Sequence, residues 1–146
     1  MSAQIRSEET RARILEAAEE CFARNGYDAT GLAELCRRAG VSKGAFYHHF
    51  PSKQAVFLEL LDRWLGGLDA QMSAMLAAAA DPAGGLLALA HLTEHIFREG
   101  RDRLPIFLEF WTRATHDAQV WAATMTILQR YRAFFADLIR AGIEQG

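Results

Sequence analysis

Three prolines divide this chain, and each lies where one helical pattern of apolar residues stops and the next begins. Proline blocks a helix interior because it lacks an amide hydrogen and clashes with the preceding turn, but it is tolerated in the first turn. Pro51, Pro82 and Pro105 lie between segments whose apolar residues recur every ~3.6 residues, the period of an α-helix. This arrangement predicts an all-α fold.

The N-terminal third of the chain is predicted to form three helices. Ser7 is expected to cap the first helix, and Asn25 with Gly26 to end it. Two much shorter helices follow over residues 32–39 and 43–49. The residues expected to end the first short helix and to cap the second are Gly40 and Ser42.

The remaining two thirds are predicted to form one long helix and three further helices. Pro51 and Ser52 open the long helix, whose apolar stripe reaches Leu76 and gives it a length of roughly 40 Å. Asp81 and Asp117 are expected to cap two later helices, with an aromatic-rich helix between them. These three helices are expected to end at Gly100, Thr115 and Gly142. The inward positions are expected to be Leu86, Leu89, Thr93, Ile96 and Phe97 in the first, and Trp121, Met125, Leu128, Tyr131, Phe135, Leu138 and Ile139 in the last.

Length and composition exclude several classes of protein. The 146 residues are 51% hydrophobic, which is enough for a real core. No apolar run approaches the ~18 residues of a membrane span, and residues 1–10 lack the apolar core of a signal peptide. We therefore expect a cytoplasmic protein with no membrane partner. Cys21 and Cys36 can neither form a disulfide framework nor alone ligate a structural zinc, and both fall on apolar stripes where burial is expected.

The charge is distributed unevenly along the chain. The net charge of −2 argues against a uniformly basic nucleic-acid binder. Residues 24–53, however, contain five lysines and arginines against two acidic residues, a local charge of +3, with two histidines beside them. A partner that is a polyanion is therefore most easily sought in this segment.

The two short helices have the layout of a helix-turn-helix, in which the second helix enters the DNA major groove. They are joined through Ala39, Gly40 and Val41. Phe46 and Phe50 are one turn apart and are expected to be buried against the first helix. The layout alone leaves a structural helical hairpin equally open, because glycine turns are common in helical bundles.

The residues of this segment resemble the TetR family of transcriptional regulators over positions 10–53. The resemblance is carried by identities at fixed spacing. They are Thr10, Arg11, Ile14, Leu15, Ala17, Ala18, Phe22, Gly26, Tyr27, Thr30, Ala39, Gly40, Val41, Ser42, Lys43, Gly44, Phe46, Tyr47, His48, His49, Phe50, Ser52 and Lys53. The remainder resembles the family's effector-binding helices more loosely, in phrases such as residues 107–111.

The resemblance implies a set of DNA-binding residues. The positions that face bases in the family are occupied by Lys43, Gly44, Ala45 and His48, and those that touch sugar-phosphate by Thr30, Tyr47, His49 and Lys53. The chemistry agrees, because one cation and two very small residues let the start of the helix approach base edges. A core role for Tyr47 stays open at this point.

One position departs from the family pattern. Gly31 stands where the family usually has Ser or Thr, which would cap the first short helix together with Glu34. Thr30 is therefore expected to supply the cap. We expect a slightly weaker helix start with DNA binding retained, because a glycine cap costs only a few tenths of a kcal/mol.

The C-terminal helices contain more large apolar side chains than a narrow bundle needs, and some are expected to line an effector cavity. The candidates are Trp64, His91, His95, Phe107, Phe110, Trp111, Trp121, Met125 and Tyr131. His91, Glu94 and His95 also spell the H-x-x-E-H pattern of inverted zinc peptidases. We expect neither enzyme activity nor a metal or other cofactor, because the pattern is short and the chain offers no separate substrate-binding domain.

The sequence thus predicts a ligand-responsive, sequence-specific DNA-binding regulator, most often a repressor in this family, released from its operator by a small hydrophobic effector. The alternative is a helical ligand-binding or interaction protein without DNA binding. We predict a DNA-binding domain over 1–53 and an effector-binding domain over 54–146. The family usually continues with two more helices that form its dimer interface, so the chain is expected to be truncated and a weak dimer on a palindromic operator.

Overall fold

The computed structural model describes residues 2–79, 81–99 and 104–145, apart from the side chains of residues 2, 3, 76, 95–97, 99, 104, 107, 127 and 145. The described residues form helices and contain no strand, so the all-α prediction is confirmed. The helices are α1 (Ser2–Asn25), α2 (Leu32–Ala39), α3 (Lys43–His49), α4 (Lys53–Ala78), α5 (Pro82–Glu99), α6 (Leu104–Ala114) and α7 (Ala118–Gln145).

Short polar side chains begin four of these helices, as the sequence predicts. Ser42 accepts a hydrogen bond from the Ala45 amide at 3.1 Å, and Ser52 accepts one from the Ala55 amide at 3.1 Å. The carboxylates that cap α5 and α7 accept amide hydrogen bonds in the same way. Each cap satisfies an amide that has no partner inside its helix. The capping residues of α5 and α7 are Asp81 and Asp117.

Two predicted helix ends are wrong. α1 begins at Ser2 rather than at Ser7, because no breaker separates them and each added helical residue gains a backbone hydrogen bond. α7 continues through Gly142 to Gln145. A Cβ at Gly142 would lie 3.6 Å from the Pro82 Cβ, so this glycine lies where two helices approach closely. The predicted end at Gly100 lies outside the described residues.

The first compact unit comprises residues 1–61 and 102–111. Its core is aromatic, with Phe22, Phe46, Phe50 and Phe57 all at most 2% exposed. The Phe57 ring makes an edge contact with Phe22 at a centroid distance of 5.8 Å. The division of the chain into functional domains at residue 53 stays a prediction.

The second compact unit comprises residues 62–101 and 112–146. Met72, Leu89 and Leu92 form its buried cluster, which joins α4 to α5. Four half-buried side chains contact this cluster, three of them from α7. They are Met75, Tyr131, Phe134 and Leu138.

The inward faces predicted for α5 and α7 need correction. Leu89 is buried as expected, but Leu86 and Thr93 are exposed, and Leu92 is buried instead. The α7 stripe is also rotated, since Val120 and Thr124 are buried while Trp121 and its successors one and two heptads along are exposed. The residues one and two heptads after Trp121 are Leu128 and Phe135. Two later apolar residues of α7, Ile139 and Ile143, are also exposed. A helix that is apolar on two sides leaves its inward face ambiguous in sequence. Ile96 and Phe97 have no described side chains.

Candidate nucleic-acid interface

A left-handed glycine joins α2 to α3. Gly40 has φ +64° and ψ +39°, and its amide donates to the Arg37 carbonyl at 3.2 Å. The following amide, of Val41, donates to the Cys36 carbonyl at 3.0 Å. These two bonds close the C-terminus of α2 and turn the chain within three residues into α3. The predicted helix-turn-helix layout is therefore present.

The inner face of α3 is fixed by two phenylalanines. Phe46 and Phe50 are 0% and 2% exposed, with ring centroids 6.1 Å apart. The predicted burial of both side chains is therefore confirmed, and on the α1 side the Arg11 guanidinium lies over the Phe50 ring. Tyr47, in contrast, is 55% exposed, so the alternative of a core tyrosine is wrong.

The outer face of α3 presents a small set of polar side chains beside positions where the side chain is absent or very small. Lys43, Gly44, Tyr47 and His48 are exposed, and Ala45 is half-buried. The absence of a side chain at position 44 and the single methyl at 45 let another molecule approach the first turn closely. The surface therefore combines one fixed cation, a phenol and an imidazole, all of which can donate hydrogen bonds to base edges or phosphates.

Thr30 does not have the role predicted for it. The N-cap of α2 is Gly31, with no side-chain capping bond, and Thr30 is 0% exposed. Its hydroxyl lies 2.8 Å from the Gly26 carbonyl and 3.2 Å from that of Cys21. Burial leaves it no surface for a phosphate contact. The hydroxyl instead lies against the two carbonyls at the turn that ends α1, with the shorter contact to Gly26.

Lys53 directs its ammonium group toward the chain itself. The Nζ donates to the carbonyls of Tyr27 at 2.7 Å and Thr30 at 2.9 Å, and it lies 4.1 Å from the centroid of the Tyr27 ring. The half-buried side chain therefore ties the first turn of α4 to the segment between α1 and α2. Its positive charge remains in this unit as a source of attraction for phosphate.

The two histidines at the end of α3 differ in their surroundings. Their ring centroids are 5.1 Å apart. His48 is exposed, whereas His49 is half-buried, and burial lowers the pKa of His49, with the charges of His48 and Arg11 acting in the same direction. His49 is thus disfavoured as a cation in the folded chain, which weakens it as a phosphate contact.

An ion pair that the sequence analysis missed joins α1 to α4. The Arg11 guanidinium donates to both carboxylate oxygens of Glu59, and this hydrogen bonding raises the pKa of Arg11. The same guanidinium lies 4.6 Å from the centroid of the Phe50 ring. Because the two partners are 48 residues apart in the chain, no local sequence pattern predicts the pair.

The predicted effector residues of the first unit whose side chains are described have different surroundings. Phe110 is buried, and its ring centroid lies 4.5 Å from that of Phe57, so it contributes to the core of this unit. Trp111 is half-buried. Phe107 has no described side chain.

The predicted effector residues of the second unit have equally varied surroundings. Tyr131 contacts the buried cluster, and burial, followed by the charge of Asp69, raises the pKa of its phenol. Trp64 and Met125 are half-buried, whereas His91 and Trp121 are exposed. The side chain of His95 is not described.

The described residues also line two surface clefts. One, of about 420 Å³, runs between α1 and α2 and is lined by charged residues that include the Glu20–Arg38 ion pair. The other, of about 300 Å³, lies in the second unit between Pro82 and the Phe134 side of α7. Neither is lined by a predicted effector residue.

The competing chemical motifs find little support in the structure. Among the described side chains, no three histidine, cysteine or acidic groups converge as a metal site would need, and Glu94 pairs with Arg98.

Cys21 and Cys36 are buried as predicted, and burial raises the pKa of both thiols. In the described part of the chain, no helix combines the length and apolarity required to cross a membrane.

Comparison with known proteins assigns the family. The sequence profile "Bacterial regulatory proteins, tetR family" matches residues 14–60, which contain both short helices. A solved transcriptional regulator of Saccharomonospora viridis in complex with choline has a TM-score of 0.83 and 30% identity, covering 95% of this chain and 72% of that one. The chain belongs to the TetR family.

Two further relatives support the assignment beyond the helix-turn-helix. The transcriptional regulator UidR of Escherichia coli is 27% identical over 146 residues, which cover 98% of this chain and 71% of UidR. A ketosteroid transcriptional regulator of Mycobacterium tuberculosis has a TM-score of 0.75 at 27% identity, covering 93% of this chain and 69% of that one. The TetR assignment identifies a DNA-binding transcriptional regulator, and these relatives are regulators rather than enzymes.

Proposed function

We propose that this TetR-family protein is a repressor that reads a palindromic operator with α3 and leaves it when a small hydrophobic effector binds. The observation that carries the proposal is the two-sided character of α3. Phe46 and Phe50 anchor one face in the core, while Lys43, Tyr47 and His48 extend from the other. A short helix of this kind fits the major groove.

The contacts divide into two groups in this proposal. Lys43, Gly44, Ala45 and His48 face base edges from the first two turns of α3. Tyr47 offers its exposed hydroxyl to a phosphate. Lys53 adds charge near the phosphates while its Nζ holds the Tyr27 and Thr30 carbonyls. Base contacts would specify sequence, and phosphate contacts would fix the register.

Alanine variants of the two lysines test this division. The probe is a duplex that the chain itself selects from a random pool, compared with random DNA over a range of salt. Lys53→Ala should weaken binding to both duplexes alike, make the salt slope shallower by about one unit, and lower the thermal midpoint. Lys43→Ala should lose affinity mainly for the selected duplex and change its base preference.

Arg132→Ala is the matched control, since it removes an exposed cation from the second unit. It should leave both affinities unchanged. Equal losses on selected and random DNA for both lysine variants would contradict the assignment of Lys43 to base reading. Binding to neither duplex by the parent chain would favour the alternative of a helical ligand-binding protein.

The proposed effector is apolar because α7, in the second unit, supplies aromatic side chains and its described residues show no cluster of inward cations. Trp64, Met125 and Tyr131, all half-buried in the second unit, are the best-placed candidates to line its site. The related regulators indicate which compounds to test as effectors, since one is in complex with choline and another is named for ketosteroids. Quenching of tryptophan fluorescence by a steroid, with none by choline or by a polyanion, would support an apolar site. Binding of the polyanion alone would contradict it.

The proposal includes the setting in which the protein acts. A DNA-binding regulator acts on chromosomal DNA in the bacterial cytoplasm, and a palindromic operator requires a homodimer that spaces two copies of α3 by ~34–36 Å. Effector binding can release the DNA only by as much as the effector's affinity differs between the two conformations.

A further inference from the structure

The Arg11 side chain occupies the corner where three helices of the first unit meet. From α1 its guanidinium donates to both carboxylate oxygens of Glu59 on α4, and its Cζ lies over the ring of Phe50, 4.6 Å from the centroid. Phe50 is the C-cap of α3, and its amide donates to the Phe46 carbonyl at 2.9 Å. One side chain therefore contacts both the end of the recognition helix and the second turn of α4.

The pair is better defined than an ordinary surface ion pair. The Glu59 side chain is 22% exposed and that of Arg11 40%, whereas the Glu20–Arg38 pair between α1 and α2 has 56% and 39%. A two-pronged contact fixes direction as well as distance, because the guanidinium is planar and rigid. Lysine at position 11 would keep the charge but could not reproduce the two-pronged contact with Glu59.

A second cation holds the preceding turn of α4. Lys53, the first residue of α4, donates to the carbonyls of Tyr27 and Thr30. The start of α4 is thus fixed at two successive turns to the helices that present α3.

We propose that Arg11 and Glu59 are positioning residues, which orient α3 for sequence reading without contacting DNA. This inference rests on the proposed function. The inference predicts in which direction the DNA affinity of Glu59→Gln changes. Glu59→Gln removes a negative charge, so a purely electrostatic role predicts tighter DNA binding. A positioning role predicts weaker binding to the selected duplex, because the base contacts of α3 lose their alignment while the attraction to phosphates remains.

The experiment measures dissociation constants of Glu59→Gln, Arg11→Lys and the double variant for the selected and the random duplex at one salt concentration. Each single variant should weaken binding to the selected duplex about tenfold, which is ~1.4 kcal/mol. Binding to random DNA should stay within about twofold of the parent. The double variant should lose no more affinity for the selected duplex than the single variant that binds it less tightly. Both substitutions remove the same contact, so their effects should not add. Glu20→Gln, which breaks the Glu20–Arg38 pair instead, is the matched control and should bind both duplexes like the parent.

Two outcomes would overturn the inference. Tighter binding of Glu59→Gln to both duplexes would show that the pair acts only through charge. Losses on both duplexes in proportion to the unfolded fraction, measured by circular dichroism at the same temperature, would show a role in folding alone. Arg11→Lys guards against a misfolded variant, since it preserves the charge and most of the side-chain volume. Failure of the proposed function has a different signature, because the parent chain itself would then enrich no sequence.

Discussion

At the scale of single residues, charge and burial decide which side chains of the helix-turn-helix are available to DNA. Lys43 and Lys53 carry the same charge, but Lys43 is exposed while the Lys53 ammonium group bonds two backbone carbonyls. Thr30 and Tyr47 show the same contrast, since the hydroxyl of Thr30 is buried and Tyr47 is exposed. Residue type alone could not separate these pairs, because the fold determines whether backbone carbonyls lie beside a side chain, as they do beside Lys53 and Thr30.

We expect His49 to make folding stability depend on pH. Burial lowers its pKa in the folded chain, so near its ordinary value of about 6.5 the unfolded chain binds the proton more readily. The stabilisation is therefore complete above about pH 6.5 and is lost as the pH falls toward the lowered folded value. We expect His49→Gln to flatten this part of the dependence of the thermal midpoint on pH. An identical slope in parent and variant would show that His49 does not contribute.

At the scale of elements, local signals predicted most helix boundaries and tertiary contacts decided the rest. Ser42, Asp81 and Asp117 cap helices as the sequence indicates, because capping uses only neighbouring amides. The start of α2 could not be predicted in this way. There Thr30 turns inward to the end of α1, and the cap position is left to Gly31.

Two glycine substitutions at the ends of α2 should have opposite effects. Gly31 has φ −79° and ψ 151°, and a Cβ added there would meet open space, so Gly31→Ser should add a cap and stabilise the chain by a few tenths of a kcal/mol. Gly40 has φ +64°, so Gly40→Ala should cost about 1–2 kcal/mol. Denaturant unfolding followed by helix content measures both. Destabilisation by the serine or a neutral alanine would contradict this account of α2.

At the scale of the whole molecule, the sequence predicts the helices but not how their residues are divided between the two compact units. Residues 102–111 belong with residues 1–61 in one compact unit, an association between segments far apart in the chain. The predicted effector residues are divided between the two units for the same reason. The rotated stripe on α7 has a similar origin, because only the packing against Met72 and Leu89 reveals which apolar face is inward.

The exposed face of α7 is expected to drive self-association. Trp121, Leu128 and Phe135 are each at least 40% exposed at heptad spacing, and contiguous apolar surface of this kind favours contact with another molecule. The mass measured by light scattering should therefore rise with protein concentration. The variant with both Leu128→Gln and Phe135→Gln should remain smaller at the same concentration, whereas Ala133→Gln, at an exposed position off the stripe, should behave like the parent. A mass independent of concentration in all three would contradict the prediction.

The central claim is that the outer face of α3 reads DNA sequence, and one titration tests it most directly. Fluorescence anisotropy of the parent chain with the duplex it selects and with a scrambled duplex of equal length gives both affinities under the same conditions. We predict at least about tenfold tighter binding to the selected duplex, because one good base contact is worth ~1–3 kcal/mol, and weaker binding to both duplexes as salt rises. Equal affinities for the two duplexes, or no binding to either, would contradict the claim.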